Sequence, residues 1–385
     1  MAQKDLFEEL MRYYEFQIGK MPRRERFLSG LKEVFSKEDL QIFFQLPFLG
    51  FLNEEKYMKK LLKLNFSQEN FDDAMSRLIP KGLVDKFQKN GVWGYERAPV
   101  IVVLEMTVRE TEDSAFRQVA ADVMNDLIEG AAETIPTKTP YYRVLAAEPT
   151  LKSNFNPKVI KVNADIPDPR QVLPLDEVSE MIKQVDLIAI SNCYCRSAKE
   201  ILGEGCGHSL ETCFYFDELA QMKLQTDYAR ELTYDEAMEI LYECEKEGLV
   251  HNVSNCEGQI QTLCNCCDCS CAVLKAWNRG MRNTTAPSRF IVALDTTKCT
   301  LQGDCVKICP VGALSISNKT LDTDLEKCIG CGLCVTACPA GALRMELRQD
   351  PPHIFKDNDR LYRNIYAESA LGLIGKKLGL KKKEK

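Results

Sequence analysis

Histidine and tryptophan are scarce in this chain, three and two among 385 residues, and other absences narrow its function further. With only His208, His251 and His353 available, no Ser/His/Asp or Cys/His nucleophile constellation can be assembled. No G-x-G-x-x-G follows a predicted strand and no Walker lysine occurs. Gly203-Glu204-Gly205-Cys206-Gly207 has the wrong spacing, so neither nucleotide nor flavin binding is indicated. No apolar run reaches the roughly 18 residues needed to cross a bilayer. The opening MAQKDLFEELMRYYEF lacks the basic start and apolar core of a secretory signal, which predicts a cytoplasmic protein. A strong basic excess is missing too: the net charge is -6, so nucleic-acid binding would need a local argument.

Cysteine is absent before Cys193 and abundant after it, with 18 residues in all. A reducing compartment opposes disulfides, which leaves metal or cluster ligation as the economical use of so many thiols.

Coarse pattern predicts an α+β multi-domain protein. Residues 1–98 read as helices followed by a hairpin, with capping at Ser36 and Ser67 and a turn at Asn90-Gly91; this is the order of a winged-helix-like docking domain. Residues 99–165 read as a small α/β unit, with strands at 100–106 and 141–147 flanking a helix at 114–129. Residues 166–281 form a cysteine-rich central domain, entered through a Pro-rich connection at 166–174. Within it Tyr234-Asp235-Glu236-Ala237-Met238 leading to Gly248-Leu249-Val250 echoes Phe71-Asp72-Asp73-Ala74-Met75 leading to Gly82-Leu83-Val84. Arg282 to Arg289 reads as a linker, residues 290–348 as a ferredoxin-type domain, and residues 349–385 as a helix with a basic tail. That tail, ending Lys381-Lys382-Lys383-Glu384-Lys385, could touch an acidic membrane surface, but a docked helix with a solvated end is the simpler reading.

Cys328, Cys331, Cys334 and Cys338, followed by Pro339, match C-x2-C-x2-C-x3-C-P. In this spacing three thiolates wrap one cluster and the fourth reaches its neighbour. Twenty-nine residues earlier, Lys298-Cys299 to Cys309-Pro310-Val311-Gly312-Ala313-Leu314 mirrors Lys327-Cys328 to Cys338-Pro339-Ala340-Gly341-Ala342-Leu343. The duplication predicts a bacterial dicluster fold. Cys328, Cys331, Cys334 and Cys309 would hold one 4Fe-4S cluster. Cys299, Cys305 and Cys338 would supply three thiolates to the other, because Gln302 replaces the fourth and an amide is a poor iron ligand. That second cluster is expected to be 3Fe-4S, or 4Fe-4S with a labile iron.

In the central region Cys193, Cys195, Cys206 and Cys213 form one group and Cys264, Cys266, Cys267, Cys269 and Cys271 a second, denser one. Not all five of the second group can face a single cluster from a regular strand, where neighbours point to opposite sides. An additional iron-sulfur cluster is expected here, with zinc as the alternative.

The stretch Ile188-Ala189-Ile190-Ser191-Asn192-Cys193-Tyr194-Cys195-Arg196, with Cys206, Cys213, Glu247 to His251 and Cys264-Asn265-Cys266-Cys267-Asp268-Cys269, resembles a family of largely uncharacterised 4Fe-4S dicluster ferredoxin-type proteins of anaerobic bacteria and archaea. The resemblance runs over about residues 165 to 345. Members often end the dense run as CCC, where this chain has Ser270, so no ligand role passes to that position. The family implies cluster binding and electron transfer and names no substrate.

The expected function is an electron relay between a low-potential donor and a partner oxidoreductase, as a subunit rather than a stand-alone enzyme; no residue is assigned a catalytic role. One alternative is a reductase whose central site holds a catalytic cluster. The other is a cluster-dependent redox-sensing regulator, although the presumed recognition helix, Gln68 to Arg77, carries three acids and one arginine, which makes nucleic acid a poor partner.

Overall fold

The computed structural model describes residues 5–377 except 49, 90, 111–113, 135–136, 153–172 and 259. Helices and sheets are mixed in an α+β chain that divides into two compact units, Met1–Gly130 with Ala189–Glu231, and Ala131–Ile188 with Leu232–Lys385.

The first unit opens with α1 (Leu6–Ile18), α2 (Arg24–Val34) and α3 (Lys37–Phe43), then β1 (Leu52–Asn53), α4 (Glu54–Leu62), α5 (Gln68–Leu78) and the hairpin β2 (Val84–Lys89) and β3 (Val92–Arg97). Capping boxes start α3 at Ser36 with Asp39 and α5 at Ser67 with Asn70, satisfying backbone N–H groups that the first turn leaves orphaned. Gly82, at φ +73°, ends α5, and the Leu83 N–H returns to the Leu78 carbonyl, a left-handed cap that only glycine adopts without strain. The three strands pair antiparallel in the order β1-β3-β2. Tyr57, Phe71 and Tyr95 meet edge to face beneath them, with centroids 5.4 to 5.6 Å apart.

The Val100 to Met106 run is a helix, not the strand its β-branched residues predict: α6 (Val100–Arg109) follows Pro99 directly. Eight of its ten residues are buried, so no polar face marks the 3.6-residue period that sequence reading relies on. Helix α7 (Ala115–Thr134) comes next.

The chain then supplies β4 (Tyr142–Val144), α8 (Glu148–Lys152) and α9 (Val178–Ile182) to the second unit. It returns to the first with β5 (Ile188–Asn192), α10 (Tyr194–Ile201), β6 (Glu211–Phe216), α11 (Asp217–Lys223) and β7 (Ala229–Leu232), whose strands run in the order β6-β5-β7. The second unit continues with α12 (Tyr234–Lys246), β8 (Val250–Ser254), β9 (Thr262–Cys266), α13 (Ala272–Asn278), β10 (Thr285–Ala286), β11 (Phe290–Leu294), α14 (Asp304–Lys307), β12 (Leu314–Ser317), β13 (Thr320–Thr323), α15 (Leu333–Thr336), β14 (Leu343–Leu347) and α16 (Asn358–Lys377). Its strands run β10-β4-β8-β9, with separate antiparallel pairs β11-β14 and β12-β13. Gly248, at φ +81°, ends α12 as Gly82 ends α5, with the Leu249 N–H on the Cys244 carbonyl.

Arg282 to Arg289 is not a linker. Its middle is β10, parallel to β4 through Thr285 and Tyr142, and Thr284, Thr285, Ser288 and Arg289 are buried. The Thr, Pro and Ser content mimics a solvated connection, but these polar groups are used internally: Arg289 Nη1 lies 2.6 Å from Asp176 Oδ2 and Thr285 Oγ1 donates to Asn252 Oδ1. The basic tail Lys381 to Lys385 and most of the connection at 166–174 fall outside the described residues. Among the described residues no helix is long and apolar enough to cross a membrane.

One carboxylate of the first unit bears on its stability. Burial lifts the Asp85 carboxyl from 3.8 to about 7, and the nearby Lys223 charge offsets only part of this. The folded value lies above the unfolded one, so the ionised carboxylate is a liability above pH 7 that fades as the pH falls from 7 toward 4. Asp85→Asn is therefore expected to stabilise the first unit by on the order of 2 kcal/mol at pH 8 and by nothing near pH 4. Denaturant unfolding at the two pH values checks this; an equal effect at both would refute it.

Candidate metal centres

The two halves of the 29-residue duplication build one loop each, followed by a single helical turn, α14 or α15. Backbone conformation repeats with the sequence: Gly303 and Gly332 stand at φ +84° and +79°, and Gly312 and Gly341 at +58° and +59°. Leu301, at φ +58°, stands where the second loop has Gly330 at +70°, so the first loop holds a side chain in a conformation costing roughly 1 kcal/mol.

The last cysteine of each half crosses to the other. One cavity is lined by Cys309 from the first half and by Cys328, Cys331 and Cys334 from the second, with Val292, Val311, Ile329, Leu333 and Met345 around them. The other is lined by Cys299, Cys305 and Gln302 from the first half and by Cys338 from the second. Backbone N–H groups aim at the two crossing sulfurs, from Ala313 to Cys309 Sγ at 3.3 Å and from Ala342 to Cys338 Sγ at 3.4 Å. Burial pushes the Cys331 thiol up to about 12 and raises Cys334 and Cys305 as well. Neutral thiols are thus favoured in these apolar walls until a cation compensates the thiolates. Four soft donors around one apolar cavity suit a four-iron cluster, and three with an amide suit a cluster short of one ligand.

The second loop is clamped from outside. The Ala147 N–H donates to the Cys331 carbonyl at 2.8 Å, Ser288 N–H to the Ile329 carbonyl at 2.9 Å and Ser288 Oγ to the Gly330 carbonyl at 2.6 Å. Arg348 spans the Cys328 and Ser288 carbonyls, and Trp277 Nε1 donates to the Lys327 carbonyl.

In the central region the cysteines are carried by several different elements. Cys193 caps α10, Cys195 sits in its first turn, Cys206 follows in the loop and Cys213 lies on β6, all in the first unit. Beside Cys213 lies a buried ionic network that sequence reading missed. Tyr215 Oη donates to Glu105 Oε1 at 2.7 Å, Arg109 donates to Tyr215 Oη and to the Asn192 carbonyl, both at 2.6 Å, and Lys223 Nζ approaches Glu105 to 3.1 Å. Arg109 also pairs directly with Glu105 and lies over the rings of Tyr194, Tyr215 and Tyr228. Burial alone would raise Glu105, but the Lys223 and Arg109 charges and the hydrogen bonds from Tyr215 and Arg109 hold it at about 2. The only signal was a Glu and an Arg four residues apart in an otherwise apolar run, the spacing of neighbours on a helix.

The second group lies in the second unit. Cys264 and Cys266, two residues apart on β9, share a face, and Cys271 arrives at the N-terminus of α13. The Cys266 thiol hydrogen-bonds with Cys264 and with Cys271, and these contacts together with burial drive its pKa far up. The sulfurs of Cys267 and Cys269 lie within 4.8 Å of each other. Cys256 is buried against Asn358.

Residues 321–344 match the 4Fe-4S binding domain family, which supports 4Fe-4S binding and electron-transfer capacity in this part of the chain. No curated protein and no solved structure matches the chain.

A Cβ added at Gly330 would meet the Phe290 carbonyl oxygen at 2.1 Å and Ser288 Oγ at 2.3 Å, whereas one at Gly312 would meet nothing within 4 Å. Gly330→Ala is expected to destabilise the folded module by roughly 2–4 kcal/mol and Gly312→Ala by roughly 1 kcal/mol. Thermal unfolding followed by cluster absorbance checks the order; equal losses would count against the clamp.

Proposed function

We propose that the chain relays electrons between a low-potential donor and a partner oxidoreductase through clusters of its C-terminal module. The observation that carries this reading is the crossed pair of cavities, each lined by thiols from both halves of the duplication. Cys309, Cys328, Cys331 and Cys334 would hold one 4Fe-4S cluster. Cys299, Cys305 and Cys338 would hold the second as 3Fe-4S, or as 4Fe-4S with a labile iron beside Gln302. When bound, such clusters take up and release single electrons with little rearrangement. The protein's part is to hold the thiolates, exclude water with the apolar walls and direct the Ala313 and Ala342 N–H groups at sulfur, which tunes the potential.

Residues 1–98 are read as a winged-helix-like docking domain. The element order and the β1-β3-β2 sheet support that reading. Arg77, the one arginine of α5, is tied to Asp39 at 2.7 Å and Asp73 at 2.8 Å, leaving it poorly placed for phosphate. Exposed Phe16 and Phe48 instead border a cavity with Tyr13, Phe44, Arg12 and Arg97, a surface suited to a protein partner. The central cysteines are read as holding an additional centre, which extends the relay.

EPR of the anaerobically purified protein tests the assignment. Oxidised protein is expected to show a three-iron signal, and dithionite-reduced protein a four-iron one. Gln302→Cys is expected to replace the three-iron signal with a second four-iron signal and to add about one iron per chain. An unchanged spectrum would overturn the ligand assignment, and a protein that binds no iron would overturn the relay.

A further inference from the structure

The pairing of β8 with β9 sorts side chains by face. Val250 is registered with Cys266, His251 with Asn265 and Asn252 with Cys264, and directly opposed residues lie on the same side of a sheet. Cys264 and Cys266 therefore share a face with Asn252, whereas His251 and Asn265 occupy the other, where they hydrogen-bond at 2.5 Å and His251 also meets Glu245. That placement removes the His251 imidazole from the thiol face. The cysteines that hydrogen-bond with Cys266 are Cys264 and Cys271.

Asn252 supplies an independent sign of an anionic occupant. It is 1% exposed, and its carbonyl oxygen is satisfied by Thr285 Oγ1 at 3.0 Å. Its Nδ2 is buried with no hydrogen-bond partner in the protein. An orphaned amide donor in a dry interior costs roughly 1–3 kcal/mol, and the sulfur groups on its own face are the acceptors that would satisfy it once they carry negative charge. The surroundings are apolar: Val144, Val250, Leu274 and Trp277 belong to the same core, which continues to Cys305, Cys328 and Cys334 of the ferredoxin module.

We infer that Cys264, Cys266 and Cys271 are the three protein ligands of a third iron-sulfur cluster, separate from both ferredoxin cavities, with Asn252 donating a hydrogen bond to its sulfur. Three thiolates alone do not complete the four-ligand shell that structural zinc requires, and the His251 imidazole lies on the opposite face. Soft sulfur donors in an apolar pocket, with an N–H directed at them, are the surroundings in which cluster potentials are set. The inference deepens the relay by naming the residues of its additional centre, and it can fail while the ferredoxin module still carries electrons.

The test uses the full chain, purified anaerobically, with iron, acid-labile sulfide and zinc analysis and a redox titration followed by EPR. Cys266→Ser is expected to lose about a third of the bound iron and sulfide, with the two ferredoxin signals retained. Full iron in this variant, or stoichiometric zinc in the wild-type protein instead of the extra iron, would overturn the inference. Asn252→Leu serves if the cysteine variant does not fold. It is expected to keep all the iron and shift one titration step to lower potential while the two ferredoxin steps stay in place; three unmoved steps would sink the Asn252 contact. Loss of both ferredoxin signals from the wild-type protein would be a failure of the relay and not of this site.

Discussion

Two loops that complete each other's cavities are the constraint on which the C-terminal module depends. Cys309 closes the cavity of the second loop and Cys338 that of the first, so neither half is a finished unit alone. The helical turns α14 and α15, the proline after each crossing cysteine and the left-handed glycines at 312 and 341 all serve to return the chain to the opposite loop. Once these thiols are buried, their raised pKa values make them poor anions on their own. Folding of the module and capture of a cation are thus coupled through the same side chains.

The charged interior of the first unit obeys a similar rule by other means. Glu105 is fully enclosed, and it stays ionised because Arg109, Lys223 and Tyr215 converge on it from α6, α11 and β6. A buried charge of this kind is tolerable only as part of a satisfied set. Arg109 carries the set further by gripping the Asn192 carbonyl, one residue before Cys193, so the ionic network fixes the strand end that presents the first central cysteines.

Legibility from sequence followed how local the cause was. The C-x2-C-x2-C-x3-C-P spacing, the missing thiol at Gln302 and the helix starts at Ser36 and Ser67 are written within a few residues, and the corresponding loops and caps stand where the pattern puts them. The Val100 to Met106 run misled because a helix enclosed on nearly every side carries no amphipathic period, and Val and Ile lean toward strand. Arg282 to Arg289 misled because Thr and Ser look solvated until their tertiary partners, such as Asn252 for Thr285, are known. The sequence reads the dense cysteine run as too crowded for one site. Which members come together could not be read, because it depends on where β9 ends, at Cys266, and on Cys271 standing at the start of α13.

The clamp around the second loop also bears on biogenesis. Arg348 lies just beyond β14 and holds the Cys328 carbonyl, while β14 is zipped along its whole length to β11. The second loop is therefore latched by the last strand of the module to leave the ribosome. The clamp on that loop can close only after β14 has been made and paired, which makes the order of its completion a property of the topology.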